Sequence, residues 1–258
     1  MRPAFSATRA LDDSMRTDHA YLTATDRCWC LADYHPGASY RVSEVNQLIV
    51  NLKCRPLIVS ADPRRMHYKV RAMDAVARAL RAALSRSSVE SATWIPIPPS
   101  RPARDPDYDD RLPRILAQAF DGYDLDLRHL LYQTEVSAQD HTRARRLSAE
   151  ALYRIIGLDR TLLDITPLRA RIVLFDDVLT TGKHYKCCER RLRETLAAIP
   201  INGLFVARRV LPRRWRCPMP PPHAGAASAV LSAPWRRIRS ARAAAMIPVA
   251  PANTKAST

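Results

Sequence analysis

The sequence predicts an α/β fold in which an open, mostly parallel β-sheet is covered by helices on both faces. Short apolar runs alternate along the chain with longer segments of helical periodicity, the order expected when helical crossovers join parallel strands. The length of 258 residues and the hydrophobic content of 47% suffice for a sizeable core. We expect this domain over residues 28–211, after a flexible N-terminus at 1–27 and before a basic, Pro- and Ala-rich tail at 212–258 that is disordered.

The helices are predicted from apolar residues spaced three and four positions apart. Ser43 is a suitable N-cap for the first helix. On the second, Val70, Met73 and Val76 are expected to belong to one apolar face, with arginines covering the other. The predicted helices cover residues 43–54, 68–85, 111–120, 148–156 and 182–198.

Short apolar runs predict the strands that these helices connect. The run at 92–97 is stopped abruptly by prolines, which cannot donate to a sheet ladder. Residues 1–26 show no clear period and are expected to form a loose or edge segment. The other predicted strands cover residues 127–133, 172–175 and 203–209.

Residues 172–184, which read IVLFDDVLTTGKH, carry the strongest chemical signal in the chain. A buried strand at 172–175 would deliver Asp176 and Asp177 to the carboxyl edge of the sheet, where open α/β folds bind ligands. Residues 178–182 would then turn into a helix whose unpaired N–H groups and dipole favour a phosphate. Adjacent carboxylates beside such a turn indicate a ligand that also carries hydroxyl groups, as a ribose phosphate does.

Other phosphate-binding patterns fail on spacing. A Walker A loop needs a glycine where Asp177 stands, and a serine or threonine where His184 stands. A phosphatase of the D-x-D type needs one residue between its two aspartates, which are adjacent here. The remaining alternative is an ordinary strand end followed by an Asp/Thr helix cap.

The pattern closely resembles the phosphoribosyl-diphosphate signature of type I phosphoribosyltransferases: hydrophobic residues, two acids and a Thr-Thr-Gly turn. Residues 95–101 (IPIPPSR) resemble the strand and loop that hold the diphosphate in that family. Residues 138–146 (AQDHTRARR) resemble the mobile loop of ComF-type competence phosphoribosyltransferases, and the strand GLFVARR is similar to the last strand of that group. The resemblance covers about residues 28–211 and implies the type I fold. It also implies a small N-terminal hood, drawn from residues before Tyr68 and loops near Arg128, that sets the acceptor.

The resemblance implies that a nitrogen nucleophile displaces diphosphate from C1 of the sugar. Asp176 and Asp177 would hold the ribose hydroxyls, stabilise positive charge on the ring and contact Mg²⁺ indirectly, through water or ribose. Arg145 would neutralise the leaving group when the mobile loop closes. The other implied substrate-binding residues are Ser100, Arg101, Arg143, Arg146, Val178, Leu179, Thr180, Thr181, Gly182 and Lys183.

Several of these residues also have a purely structural interpretation. The arginines at 143–146 could form a solvated loop face, and Arg101 could pair with a carboxylate. Lys183 could be a helix-surface residue, and His184 is more simply a loop histidine than an acid–base catalyst.

Lys183 and His184 favour a second hypothesis. They stand where the family commonly has a small residue and a threonine after the signature glycine. The alternative is a non-catalytic module of ComF type that binds phosphoribosyl diphosphate or a nucleotide and serves DNA uptake or nucleic-acid handling. A structural or adaptor role would rest on the tail alone.

The cysteines do not form a framework of disulfide or zinc-site spacing. Near the N-terminus only Cys28, Cys30 and Cys54 are present, and a closed structural zinc site usually takes four ligands. We expect reduced, unconnected thiols.

The net charge of +16 indicates polyanionic ligands in general. Residues 212–258 hold seven arginines, one lysine and no acid, half of the excess, and could make weak contact with nucleic acid. The sequence contains no apolar run of about 18 residues, so no membrane span is predicted. The first residues lack a signal-peptide pattern, so a cytoplasmic location is expected. Dimers are common in the resembling family, so a homodimer is compatible with the resemblance.

Overall fold

The computed structural model describes residues 5, 7–37, 43–136, 147–163 and 165–211. The segment predicted to be the mobile loop, with Arg143, Arg145 and Arg146, lies outside the described residues, as does the tail at 212–258. Within the described part, no helix is long and apolar enough to cross a membrane.

Eight strands and eight α-helices follow one another through the described residues, with one short 3₁₀ helix at Thr161–Leu163. The strands are β1 (Arg9–Ala10), β2 (Arg27–Tyr34), β3 (Ala92–Pro96), β4 (Asp126–Leu127), β5 (Leu131–Gln133), β6 (Ile156–Leu158), β7 (Arg171–Leu179) and β8 (Ile201–Arg209). The helices are α1 (Asp13–Arg16), α2 (Glu44–Leu52), α3 (Pro56–Ser60), α4 (Pro63–Ala83), α5 (Arg86–Glu90), α6 (Arg111–Ala119), α7 (Ala149–Arg154) and α8 (Lys183–Arg193).

Six of the strands form one sheet in the order β1-β2-β8-β7-β3-β4. Every neighbouring pair is parallel except β1 and β2, which are antiparallel. β5 and β6 form a separate antiparallel pair. The expected open, mostly parallel sheet is confirmed, and its central strands β8 and β7 carry the longest pairings.

Helices cover both faces of the sheet, as expected. On one face, Phe175 of β7 packs in a cluster built mainly from α2, α4 and α6. On the other, its neighbour Leu174 packs with α7, α8 and the β5–β6 pair. Because successive strand residues point to opposite faces, an apolar strand such as β7 is buried on both sides.

Helix α4 begins earlier than the apolar pattern predicts. The Asp62 side chain accepts a hydrogen bond from the backbone N–H of Arg64 at 2.9 Å, and Pro63 occupies the first turn. Both are standard helix-start signals, and the pattern-based start at residue 68 missed them. The predicted apolar face was also wrong at Val70, which is 40% exposed, whereas Lys69 is buried.

Two other boundaries differ from the prediction. The strand expected at 127–133 is divided between β4, in the main sheet, and β5, in the small pair. Helix α8 ends at Arg193 rather than near residue 198. The guanidinium of Arg193 donates to the carbonyls of Leu196, Ala197 and Ile199, which satisfies backbone acceptors beyond the helix end.

The segment predicted to be a flexible N-terminus, residues 1–27, contains the regular elements β1 and α1 from residue 9 onward. β1 pairs with β2 at the sheet edge, in agreement with the edge interpretation, and the Asp12 side chain caps α1. Asp18 and His19 are almost completely buried. Leu11, Met15 and Leu22 of this segment pack against the hydrophobic core, but they do not recur at a helix or strand period, so the pattern did not reveal them.

Candidate functional site

A cavity of about 420 Å³ opens at the carboxyl edge of the parallel strands. The ends of β3 and β7, the loop at 97–101, the linker between α2 and α3, and the start of α8 surround it. Open α/β sheets bind ligands at this edge, and a pocket of this size suits a small molecule. The cavity therefore brings together the signature segment and the segment expected to hold the diphosphate.

Strand β7 does not stop before the two aspartates. Val178 pairs with Ala207 and Leu179 with Arg208, so the parallel ladder continues past Asp176 and Asp177. The prediction that residues 178–182 form the turn is corrected to a turn of three residues, Thr180–Gly182. The physical reason is that Val178 and Leu179 are apolar and bury their side chains against the two cores.

The turn keeps the features that favour a phosphate. Gly182 has a φ of +81°, and a Cβ added there would lie 2.9 Å from Leu22 Cδ2, so only glycine fits without strain. Helix α8 starts directly after it, and first-turn N–H groups of a helix have no partner within the helix. Thr180 is exposed, and the Thr181 hydroxyl accepts from the Lys183 N–H at 3.4 Å.

The buried N-terminal segment supports this turn from behind. His19 Nδ1 hydrogen bonds to the Thr180 carbonyl, and the Tyr21 N–H donates to the Thr181 carbonyl at 2.9 Å. Leu22 packs against Gly182. Burial lowers the pKa of His19, which favours its neutral form. No local pattern could have predicted this role, since the contacts span about 160 residues.

Asp177 is saturated by two cations. Lys53 Nζ lies 2.9 Å from Oδ1, and the Arg111 guanidinium donates to Oδ2 through Nε at 3.1 Å and also through Nη2. Although burial alone would raise the pKa of Asp177, the positive charges of Lys53 and Arg111 hold it well below its usual range. Asp177 is therefore a permanently ionised anchor, and the expectation that it holds ribose hydroxyls is not supported by these contacts.

Asp176 differs from its neighbour. Its Oδ1 accepts from the Asp177 N–H at 2.8 Å, and it is only partly buried at the cavity wall. Burial and the adjacent negative charge of Asp177 raise the pKa of Asp176 to about 7. The pair thus consists of one carboxylate held ionised by two cations and one carboxyl group whose pKa is raised above its usual range.

The ion pairs of Asp177 continue into a network of buried charged side chains. Arg111 Nη1 lies 2.8 Å from Asp109 Oδ2, and Lys69 Nζ lies 2.6 Å from the same oxygen. Lys69 also donates to the Cys54 carbonyl at 2.7 Å. Burial lowers the pKa of Lys69, but both of its partners favour the charged form. This network joins α4, α6, β7 and the α2–α3 linker around one side of the cavity.

Apart from Asp177, none of these network residues was predicted as functional. Lys53 and Asp177 are 124 positions apart, and Arg111 and Asp177 are 66 apart, so no local pattern could reveal the pairs. The one available signal was the acidic run DPDYDDR, which places an arginine immediately before an apolar helix.

The predicted diphosphate loop does reach the cavity. Ser100 and Arg101 both line it. Arg101 Nη1 lies 2.9 Å from Asp105 and its Nε lies 3.6 Å from Asp107, so its carboxylate-pairing interpretation holds in this structure. Arg55, from the α2–α3 linker, also pairs with Asp107 through Nε.

Lys183 points away from the cavity. Its Nζ donates to the Leu147 carbonyl, and neither Lys183 nor Thr181 is among the cavity-lining residues. The predicted contacts of Thr181 and Lys183 with the ligand phosphate are thus corrected. Thr181 supports the turn through its backbone carbonyl, and the Lys183 side chain links α8 to the segment before α7. His184 does line the cavity, and burial lowers its pKa to about 4, so the imidazole is neutral at physiological pH.

None of the described cysteines lines the cavity. Cys28 and Cys30 are buried on β2, and Cys54 follows α2. Across the residues that the structure describes, no group of three or more His, Cys, Asp or Glu side chains is arranged to hold a metal ion. The alternative of a zinc site at these cysteines gains no support.

Comparison with models of known protein families finds no match, and comparison with curated proteins also finds none.

Proposed function

We propose that this chain is a type I phosphoribosyltransferase of ComF-like type, which binds phosphoribosyl diphosphate and transfers its phosphoribosyl group to a nitrogen acceptor. The observation that carries the proposal is the placement of Asp176 beside the Thr180–Gly182 turn, in one cavity with the loop at 97–101. These three features are the ones that a ribose, its 5-phosphate and a diphosphate would require. A cytoplasmic enzyme of nucleotide metabolism is the setting that this reaction implies.

In the proposed complex the 5-phosphate binds at the turn. The first N–H groups of α8 and the exposed hydroxyl of Thr180 donate to its oxygens. Val178 and Leu179 serve as the end of the supporting strand rather than as phosphate ligands. Backbone donors at a helix N-terminus bind an anion without a lysine, so the orientation of Lys183 is compatible with this function.

Asp176 is the acid that faces the sugar. Ionised, it accepts hydrogen bonds from the ribose hydroxyls and stabilises the positive charge that develops at C1. In the reaction the C1–O bond to diphosphate breaks with its electron pair on oxygen, a C1–N bond forms, and the nitrogen loses a proton. Asp177 acts indirectly, because its ion pairs with Lys53 and Arg111 fix the position of Asp176.

Mg²⁺ is the cofactor that this reaction implies. Asp176 fits an indirect, water- or ribose-mediated contact with it, whereas both oxygens of Asp177 already accept from cations. When bound to the diphosphate, the ion neutralises the charge of the leaving group. Ser100 and Arg101 lie where the diphosphate would bind, and Arg101 would exchange a carboxylate partner for phosphate oxygens.

Isothermal titration with phosphoribosyl diphosphate and Mg²⁺ tests the proposal. We expect binding to the unmodified chain and at least tenfold weaker binding to Asp176→Asn, since a hydrogen bond to a charged group contributes about 1.5–3 kcal/mol. Asp121→Asn is the matched control, because Asp121 is exposed and outside the cavity. Absence of binding to the folded, unmodified chain would refute the proposal.

A second candidate function is the binding module without turnover. The two ion pairs of Asp177 favour this candidate, because only one acid of the pair remains to bind the sugar. This candidate predicts binding of phosphoribosyl diphosphate without diphosphate release across a panel of nucleobases. If the basic tail contributes nucleic-acid contact, deleting residues 212–258 should also weaken salt-sensitive binding of single-stranded DNA. Rapid diphosphate release with any acceptor would exclude the second candidate.

A further inference from the structure

His184 lies in the first turn of helix α8, two positions after Gly182, and it lines the cavity. Lys183, the residue between them, does not line the cavity, and its Nζ donates to a backbone carbonyl before α7. Tyr185 also lines the cavity, but its ring packs edge-on against Phe205 and its hydroxyl is buried. His184 is therefore the titratable side chain of this first turn that is best placed to contact an anion.

The two ring nitrogens of His184 have different surroundings. Among the described residues neither nitrogen has a hydrogen-bond partner, and Nε2 is completely buried whereas Nδ1 is not. Because the residue lines the cavity, Nδ1 is the nitrogen that a ligand can reach. An imidazole nitrogen that carries a proton donates one hydrogen bond, whether the ring is neutral or charged.

The surroundings of His184 favour the neutral imidazole. Burial and the positive charges of Lys53 and Lys183 lower its pKa to about 4. Asp177 on β7 acts in the opposite direction, but its two oxygens already pair with Lys53 and with Arg111 of α6. The ring therefore lies beside two lysines without a carboxylate partner of its own among the described residues.

A dianion at the Thr180–Gly182 turn would reverse this balance. Its two negative charges would offset those of the lysines and favour the imidazolium form of His184. The phosphate would then accept a charge-assisted hydrogen bond, which is roughly twice as strong as a neutral one. A histidine at this position therefore makes the strength of the contact depend on pH, which a hydroxyl side chain would not do.

We infer that His184 binds the phosphate group at the Thr180–Gly182 turn through Nδ1, and that it takes up a proton when this group binds. The inference rests on the proposed function for the place of the 5-phosphate, and it adds a ligand residue and a linkage between anion binding and pH. Anion affinity at the turn then increases as the pH falls. His184 acts here as a binding residue and not as an acid in the transfer reaction.

Calorimetric titrations with sulfate test the inference, because sulfate remains a dianion throughout the pH range used and carries no ribose. The background is Asp176→Asn, which removes the cavity carboxyl group whose raised pKa would itself make anion binding depend on pH. In this background we expect sulfate to bind about tenfold more tightly at pH 5 than at pH 8. Titrations at pH 6 in two buffers of different ionisation enthalpy should show net proton uptake.

Two substitutions in the same background separate the hydrogen bond from the proton. His184→Asn keeps an N–H group near the position of Nδ1, so sulfate affinity at pH 8 should stay within about twofold, and the tightening at pH 5 should be lost. His184→Leu removes both, so it should bind sulfate several-fold more weakly at both pH values. His129→Asn is the matched control, because His129 also lines the cavity but follows β4, which lies beyond β3 from β7. This control should keep the full pH dependence.

Thermal melting of each variant at both pH values separates loss of binding from loss of folding. Equal sulfate affinity at pH 5 and pH 8 in the background, the same tightening in His184→Asn, unchanged affinity in His184→Leu, or absence of sulfate binding by the folded chain would overturn the inference. Failure of the proposed function is recognised separately, as absence of phosphoribosyl diphosphate binding to the unmodified chain, because the sulfate titrations do not require that ligand.

Discussion

Asp177 and Arg111 form a nearly buried ion pair at the end of the central strand: Arg111 Nε lies 3.1 Å from Asp177 Oδ2, and their side chains are 12% and 2% exposed. Two charges removed from water in this way stabilise each other only while both are present. The same carboxylate sits directly beside Asp176, so this pair couples the stability of the fold to the geometry of the site.

Removal of Arg111 should therefore destabilise the fold strongly. We expect Arg111→Met to lower the free energy of unfolding by about 3–5 kcal/mol, because the buried carboxylate loses a partner. Arg114→Met is the matched control on the same helix, since Arg114 is 60% exposed and its surface pair with Asp110 contributes about 0–1 kcal/mol. Urea unfolding monitored by circular dichroism measures both, and equal midpoints would contradict the structural role of Arg111.

Asp176 should make stability fall as the pH rises from about 4 to about 7. Burial and the charge of Asp177 raise its folded-state pKa to about 7, so in this window the folded chain holds a proton that the unfolded chain has released. The stabilising effect is complete below the unfolded pKa and is lost as the pH passes through the folded pKa. Between pH 4.5 and 7.5, we expect the free energy of unfolding of Asp176→Asn to rise by roughly 1–3 kcal/mol relative to that of the unmodified chain. Urea midpoints at several pH values measure this, and parallel curves for the two proteins would rule it out.

Gly182 should tolerate alanine less well than another glycine of similar conformation. Gly182 and Gly122 have φ values of +81° and +76°, so Gly182→Ala and Gly122→Ala share a backbone cost of roughly 1–2 kcal/mol. Only at Gly182 would the new Cβ meet a neighbour, Leu22, at 2.9 Å, whereas nothing lies within 4 Å at Gly122. Gly182→Ala should therefore cost about 1–3 kcal/mol more in thermal denaturation. Leu22→Ala combined with Gly182→Ala should recover part of that extra cost; full additivity of the two losses would show that the contact is unimportant.

His19 should support the Thr180–Gly182 turn, where we propose that the phosphate binds, without contacting the ligand. Its replacement in His19→Ala leaves the part-buried Thr180 carbonyl without its side-chain partner, which costs about 1 kcal/mol. We expect lower thermal stability and several-fold weaker binding of ribose 5-phosphate. His67→Ala provides the control, since His67 is exposed on α4. Unchanged ribose 5-phosphate affinity in His19→Ala would remove His19 from the site.

The parts of the fold that depend on local pattern could be predicted from the sequence. Apolar spacing located α2 and α6, and the apolar run before Asp176 located β7. The extent of β7 could not be predicted, because Val178 and Leu179 fit a strand and a turn equally well until their pairing with β8 is known. The start of α4 was predictable in principle from Asp62 and Pro63.

The residues of the candidate site also differ in whether the sequence could reveal them. Asp176, Thr180 and Gly182 were found because they lie together in one segment. Lys53 and Arg111 were not, because an ion pair depends on which distant segments the sheet order brings together. Asp177 shows the consequence: its place in the segment predicted the cavity that it lines, but its ion pairs with Lys53 and Arg111 became visible only in the fold.

Because the Tyr21 N–H donates to the Thr181 carbonyl, exchange at this amide reports on the turn that follows β7. A ligand that tightens the turn should slow deuterium uptake at this amide, although Tyr21 is not among the cavity-lining residues. Because residues 19–22 contact the turn directly, we expect this short segment and the turn to open together. A shortened chain that lacks residues 19–22 should therefore have a looser turn, which faster deuterium uptake at the turn amides would reveal.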